Sequence, residues 1–421
     1  MMLQIVRRKP LLFILLAALL IRIPAAVALQ FRLDGQSGRR FLIAGDAEGY
    51  WELGKKMAAG EEYALHHPPR RVMRMPGFPA LLAGSMKLFG ESELAARLLL
   101  AAVGTIGCLL VYLLGKELFD EATGLIAAGW TTFSPAMSVF SVMILSETLF
   151  AVGLLASLLL MAKLTRTAPL GTARLVVLSV LAGVAIAIAC YVRPSWLLAA
   201  PLFSSVFVVW MASKNRLGTG VVAGLLVVVG MFVALTPWTI RNYRVTGHAV
   251  MTTLWVGPSL YDGLHPGATG SSNMTFFDRD KLMQQMSEYE VDRHYRREAW
   301  NFFAHNPMRA VELSAIKAWR YWKPWPNAAQ FGGVFPALLI ALFFIPAVLL
   351  AAYGLWLNRN RFWACALTAG PILYFAAIHA VFIGSLRYRL PAEYPLYVLS
   401  AAGLHSLWKG SADLKRNLVA E

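Results

Sequence analysis

The sequence predicts an all-α integral membrane fold, on three observations. Of its 421 residues 58% are hydrophobic and only 15% are charged, with a mean hydropathy of +0.56, so helices facing hydrocarbon must dominate the chain. Long apolar runs recur, as in TARLVVLSVLAGVAIAIACYV and GVVAGLLVVVGMFVAL, and a helix of about twenty residues crosses a bilayer core of roughly 30 Å. These runs are continuously apolar and lack the inward and outward alternation of a membrane barrel, which leaves helices as the spanning element.

The formal charge of +16 would suggest nucleic acid in a soluble protein. Here most basic residues sit in short turns between spans or flank the bilayer edge, so anionic lipid is the expected partner and nucleic acid is not. Cys108, Cys190 and Cys365 fall within or near the ends of apolar runs, without a C-x-x-C pair or an accompanying His spacing. They read as small packing residues.

In chain order, residues 11–29 follow Arg7-Arg8-Lys9 and form the first expected span. Ala26-Val27-Ala28 resembles a signal-peptide cleavage site, but the later turns fit one topology only if this helix is kept and the N-terminus is cytoplasmic. The stretch from Pro76 to Gly90 is about fifteen residues, short of the roughly twenty needed to cross, so it is laid along the surface. Further spans are expected at 94–115, 122–141, 148–163, 173–192, 195–212, 217–237, 333–357, 362–384 and 391–408, about ten in all.

Parity then places Lys116, the group Lys163, Arg166 and Arg174, the pair Lys214 and Arg216, the pair Arg359 and Arg361, and the tail with Lys409, Lys415 and Arg416 on the cytoplasmic side. Every short basic turn obeys the positive-inside rule. A crossing at Pro76 would reverse the turns from Lys116 to Arg361 and break it. Three regions follow: an N-terminal transmembrane module at 1–237 that includes an outer loop at 30–93, an outer loop at 238–332, and C-terminal transmembrane helices at 333–421. Within the second loop, apolar positions such as Tyr295, Ala299, Phe302 and Phe303 recur at helical spacing between about Asp278 and Trp322, as in juxtamembrane amphipathic helices over the bilayer surface. No fixed-period repeat or low-complexity tail is present.

Parity also gathers several polar residues at the outer edge. Asp46 in GDAEGYWELGKKM can cap a short helix whose Tyr50, Leu53 and Met57 share a face, or act chemically if other groups converge on it. Glu147 in SVMILSETLF is a carboxylate in an almost unbroken apolar stretch, where an ionisable group costs a few kcal/mol unless partnered or hydrated. Its bland reading is a helix-capping role. Arg193 in YVRPSW lies on the outer side against the topology bias, so a bound anion explains it better than snorkelling. Arg387-Tyr388-Arg389 stand just before the last span; an arginine fork suits phosphate oxygens and the tyrosine hydroxyl adds a donor, although paired arginines also contact headgroups. Arg74 adds a cation before the surface stretch. Arg241 and Asn242 open the large loop and either contact substrate or cap a helix end. His66 and His67 lack ligand spacing, and Asn273-Met274-Thr275 is a sequon of a kind that also arises by chance.

Taken together these residues resemble the polyprenyl-phosphate-sugar-dependent glycosyltransferases of the GT-C superfamily, the branch containing protein O-mannosyltransferases and lipid A aminoarabinose transferases. The resemblance runs through Asp46, the P-G-F-P stretch, the segment from Glu93 to Ala128, Ser134-Pro135 through Glu147, PWTIRNYRVTG and RYRLP. It implies a GT-C-like bundle in which Asp46 is the catalytic base and Glu147 a second acid that organises the site. A divalent metal ion held by Asp46 and Glu147 is the cofactor it raises. Arg74, Arg193, Arg387, Tyr388 and Arg389 would receive the phosphate of a polyprenyl-phosphate-linked sugar. The implied setting is a bacterial inner membrane with the site facing the periplasm. Family members often carry adjacent acids in the first loop, whereas Ala47 follows Asp46 here.

The expected chemistry moves a hexosyl or pentosyl group to an acceptor hydroxyl with inversion, on a glycan, lipid or protein. The rival is an anionic-lipid transporter or flippase. That class commonly shows inverted repeats and broken helices at mid-membrane, whereas here the polar groups collect at one edge.

Overall fold

The computed structural model describes residues 9–36, 38–167, 172–327 and 333–420. Arg7 and Arg8 of the expected cytoplasmic cluster lie outside them, as do the side chains of Arg166, Lys415 and Arg416. Among the described residues the chain is helical, without a β-strand; Leu65 and Arg70 form an isolated antiparallel bridge.

Among the described residues seven helices are long and apolar enough to cross a membrane: α1 (Pro10–Asp34), α4 (Glu93–Leu118), α8 (Thr172–Val192), the segment Pro194–Ala212 containing α9 (Ala199–Ala212), α10 (Leu217–Thr246), α15 (Val334–Leu357) and α16 (Phe362–Val381). Their outer faces carry exposed Leu16, Leu20, Leu225, Val229, Val233, Leu338 and Leu349, as lipid-facing helices should. The chain is a multi-pass integral membrane protein.

The other three expected spans take different forms. The run at 122–141 is divided into α5 (Glu121–Phe133) and α6 (Pro135–Phe140). Ser134 is extended there, with φ −63° and ψ 118°, a conformation favoured because the ring of Pro135 crowds the helical conformation of the residue before it. The run at 148–163 is α7 (Glu147–Lys163), and the last expected span lies within α17 (Leu386–Ala420), whose first two turns carry Arg387, Arg389 and Glu393.

The Pro76 stretch is α3 (Gly77–Phe89), a helix of 13 residues packed against α2 (Asp46–Ala59). At 1.5 Å per residue it reaches roughly 20 Å and is too short to cross. The amphipathic part of the large loop forms α11 (Val256–Gly263), α12 (Thr275–Asp280), α13 (Glu288–His305) and α14 (Pro307–Trp322). Tyr295, Ala299 and Phe302 are buried and Phe303 is exposed.

At the centre lies α17, packed against α4, α5, α7, α14, α15 and α16. Its turns from Leu390 to Ala402 are almost wholly buried. Close helix approach depends on glycine at several seams. A Cβ on Gly183 of α8 would lie 2.1 Å from the Val227 carbonyl oxygen of α10, and one on Gly354 of α15 would lie 2.4 Å from the Leu399 carbonyl oxygen of α17. In a bilayer, where helix pairs gain little from the hydrophobic effect, such small residues let backbones meet. Gly183→Val should therefore lower the thermal midpoint of the detergent-solubilised protein, with an overpacking cost of about 1–3 kcal/mol. Gly84→Ala, which meets open space within α3, should not lower it, since alanine favours the helix over glycine.

Candidate active site

Five chain segments, one of them the loop that carries Arg74 before α3, bring their charged side chains to one end of the bundle. Asp46 is the first residue of α2, and the turn into it is made by Gly45 at φ +63°, a conformation that disfavours residues with a Cβ. Glu147 is the first residue of α7 and Arg387 the second of α17. Arg193 sits in the extended residue between α8 and the 3₁₀ turn Pro194–Trp196. Carboxylates at helix starts gain from the positive end of the helix dipole.

The side chains form one connected network. Arg74 Nη2 donates to Asp46 Oδ1 at 2.5 Å, and Arg387 Nη1 donates to Asp46 Oδ2 at 2.7 Å. Arg387 Nε also donates to Glu147 Oε1, which accepts from Arg193 Nη1 at 2.8 Å. Arg387 is thus the shared member, bonded to both carboxylates. Glu147 is 2% exposed and Asp46 29%, so the network opens on the Asp46 side. Glu147 Oε2 is buried without a hydrogen-bond partner.

Three guanidinium groups meet two carboxylates, leaving one surplus positive charge in a largely desolvated place. Burial alone would push the Asp46 carboxyl up, but Arg74 and Arg387 outweigh burial and hold it well below the usual carboxylate range. Asp46 in this state is a poor proton acceptor.

An aromatic wall adjoins the network. The Tyr388 ring stacks on His379 with centroids 4.4 Å apart and planes within 1°, and the Arg193 guanidinium lies 5.3 Å from the Tyr388 centroid. His379 Nδ1 donates to the Ile383 carbonyl at 2.8 Å, since a carbonyl can only accept. Tyr50 lies under Arg74, 5.3 Å from its guanidinium carbon, and its hydroxyl is 3.4 Å from Ser146 Oγ beside Glu147. The sequence reading passed over His379 and treated Tyr50 only as a packing residue. His379 did carry a signal, because an ionisable residue within an apolar span is a candidate for function.

The remaining expected residues lie elsewhere. The Arg389 side chain turns into the bundle, fully buried, donating to Glu393 Oε1 at 2.6 Å and to the carbonyls of Tyr321 and Lys323. The sequence reading put it with the donor-phosphate residues. The correction has a simple cause: successive helix positions turn by about 100°, so Arg387 and Arg389, two positions apart, point to nearly opposite faces. Arg241 donates to the carbonyls of Arg71 and Tyr63, while Asn242 Nδ2 donates to those of Val250 and Thr252. Both fasten loops, and Arg241 helps to seat the segment carrying Arg74.

Asp46 and Glu147 as placed do not fit a pair of metal ligands. Arg387 is bonded to both carboxylates, where a shared divalent ion would have to lie. Among the described residues no group of three or more His, Cys, Asp or Glu side chains gathers to hold one.

Residues 66–240 match the family model described as dolichyl-phosphate-mannose-protein mannosyltransferase. No curated protein sequence matches the chain. Among solved structures the fold is similar to the archaeal oligosaccharyltransferase AglB from Archaeoglobus fulgidus in complex with an inhibitory peptide and a dolichol-phosphate, with a TM-score of 0.59 and 14% identity over 98% of this chain and 52% of that one. The Archaeoglobus fulgidus oligosaccharyltransferase tethered with an acceptor peptide gives a TM-score of 0.60 and 15% identity over 96% and 50%. ArnT from Cupriavidus metallidurans bound to undecaprenyl phosphate is a looser likeness, with a TM-score of 0.41 and 15% identity over 93% and 77%. The chain spans about half the length of the oligosaccharyltransferase. The GT-C resemblance read from the sequence is borne out by the family match and the oligosaccharyltransferase fold.

Removing one partner from a buried ionic network strands the others. Glu147→Ala, which leaves Arg193 and Arg387 without their buried acceptor, should cost about 3–5 kcal/mol of stability, read as a lowered thermal midpoint. Glu147→Gln keeps an acceptor oxygen and should cost less.

Proposed function

We propose that the chain is a membrane glycosyltransferase that moves a hexosyl or pentosyl group from a polyprenyl-phosphate donor to an acceptor hydroxyl, at the outer face of a bacterial inner membrane. The observation that carries this reading is the network in which Arg387 joins Asp46 to Glu147 while Arg74 and Arg193 flank them. It holds a surplus positive charge at the mouth of a membrane bundle, where the phosphate of a lipid-borne sugar would arrive. The family model's description names a dolichyl-phosphate sugar, which supports the same substrate class.

The chemistry is a single displacement. The acceptor oxygen forms a bond to the sugar's C1 as the bond between C1 and the lipid-phosphate oxygen breaks, and its electron pair leaves with the phosphate. The acceptor hydroxyl proton passes to Asp46. Attack opposite the leaving group inverts C1. Preorganised arginines stabilise the charge developing on the phosphate, and the planar guanidinium fork matches its oxygens. Glu147, buried beneath, holds Arg193 and Arg387 in position.

The same arginines couple donor binding to basicity. When the phosphate draws Arg74 or Arg387 from Asp46, the carboxylate loses part of the charge that suppresses its proton affinity. Its pKa then rises toward the ordinary carboxylate range, and the base becomes competent when the donor is in place.

Two results are expected in a transfer assay. Asp46→Asn should abolish transfer, a loss of at least about 100-fold for a positioned general base, while the variant folds normally; near-normal turnover would remove the assigned base. In the unaltered protein the acid limb of kcat, which reports the donor complex, should lie at higher pH than the acid limb of kcat/KM, which reports the free enzyme. Coincident limbs would contradict the coupling.

A further inference from the structure

The two arginines that engage Asp46 belong to segments far apart in the chain, and both segments are fastened to the same outer helix pair. On one side, Glu288 at the start of α13 accepts the backbone N–H of Arg71 at 2.8 Å and that of Val72 at 3.0 Å. Arg74 follows two residues after Val72. On the other side, the fully buried Lys317 of α14 donates to the Val381 carbonyl at 2.6 Å, and Arg320 Nε donates to the Gly384 carbonyl at 3.3 Å. Gly384 sits so close to α14 that a Cβ there would lie 2.0 Å from the Lys317 carbonyl oxygen. Arg387 follows three residues later.

These contacts have a common physical character. Two backbone N–H groups directed at one carboxylate fix a loop in both position and orientation, as a lone contact would not. An ammonium buried against a carbonyl is costly to leave unmade. The fastening is therefore stiff at both ends. Misplacing a substrate-binding group by about 1 Å can cost on the order of 100-fold in rate, so the spacing between Arg74 and Arg387 needs such a device.

We infer that the helix pair α13–α14 is the brace that sets the spacing of Arg74 and Arg387 around Asp46, with Glu288 the positioning residue for Arg74, and Lys317 and Arg320 those for Arg387. The inference rests on the proposed phosphate role of the two arginines. It also assigns the large outer loop a part in donor binding, since through α13 and α14 the loop governs the grip on the lipid phosphate.

The test uses the full chain in detergent and farnesyl phosphate as the probe. Glu288→Ala should weaken farnesyl phosphate binding on the order of ten-fold, and it should speed hydrogen exchange in a peptide spanning residues 70–76 with little change elsewhere. Glu288→Gln, which keeps one acceptor oxygen, should recover part of the affinity. In an Arg74→Ala background, Glu288→Ala should add less than about two-fold, because a positioning residue has nothing left to position. Full multiplication of the two losses, or unchanged exchange at residues 70–76 in Glu288→Ala, would overturn the brace. An unchanged affinity in Arg74→Ala alone would instead remove the phosphate role of Arg74, and with it the reason for Glu288 to matter.

Discussion

The arrangement depends on one arginine that serves two carboxylates. Arg387 donates through Nη1 to Asp46 and through Nε to Glu147, and no neutral side chain of similar length could join both. Burying Glu147 at 2% exposure would be prohibitive without such partners, because desolvating a lone charge costs several kcal/mol. The ion network is therefore a condition for placing an acid at the mouth of the bundle. Arg74 and Arg193 complete it from outside, and together the arginines tip the balance toward an anionic ligand.

This constraint explains much of the surrounding fold. Arg387 is carried by α17, whose turns from Leu390 to Ala402 are almost wholly buried and where backbone carbonyls and Glu393 hold Arg389 one step further in. The division of the 122–141 run at Ser134–Pro135 belongs to the same design. It ends α5 early, and the turns that follow α6 lead to Ser146 and Glu147 at the start of α7. An uninterrupted helix there would carry the chain past the site.

The fold was legible because composition and hydropathy act over whole segments. Runs such as Thr172–Val192 and Leu217–Thr246 leave few alternatives to a spanning helix, and the basic turns set a consistent parity. The convergence of Asp46, Glu147, Arg74, Arg193 and Arg387 was also within reach, because polar groups that share one bilayer edge have a limited surface on which to meet. What stayed hidden depended on tertiary detail. Arg389 looked equivalent to Arg387, and only the direction of a helical side chain separates them. His379 sat inside an apolar run, and its stacking on Tyr388 requires the packing of α16 against α17. The grip of Glu288 on residues 71 and 72 joins positions more than two hundred residues apart, a pairing that no local pattern encodes.

Under the proposed function a lipid phosphate and Asp46 compete for the same guanidinium groups, and a structure with bound polyprenyl phosphate would reveal that competition. Phosphate oxygens are expected within about 3 Å of Arg387 and of Arg74 or Arg193, with Asp46 freed from at least one of its two arginine partners. A phosphate seated away from these arginines, with Arg74 and Arg387 still bonded to Asp46 as they are now, would contradict it.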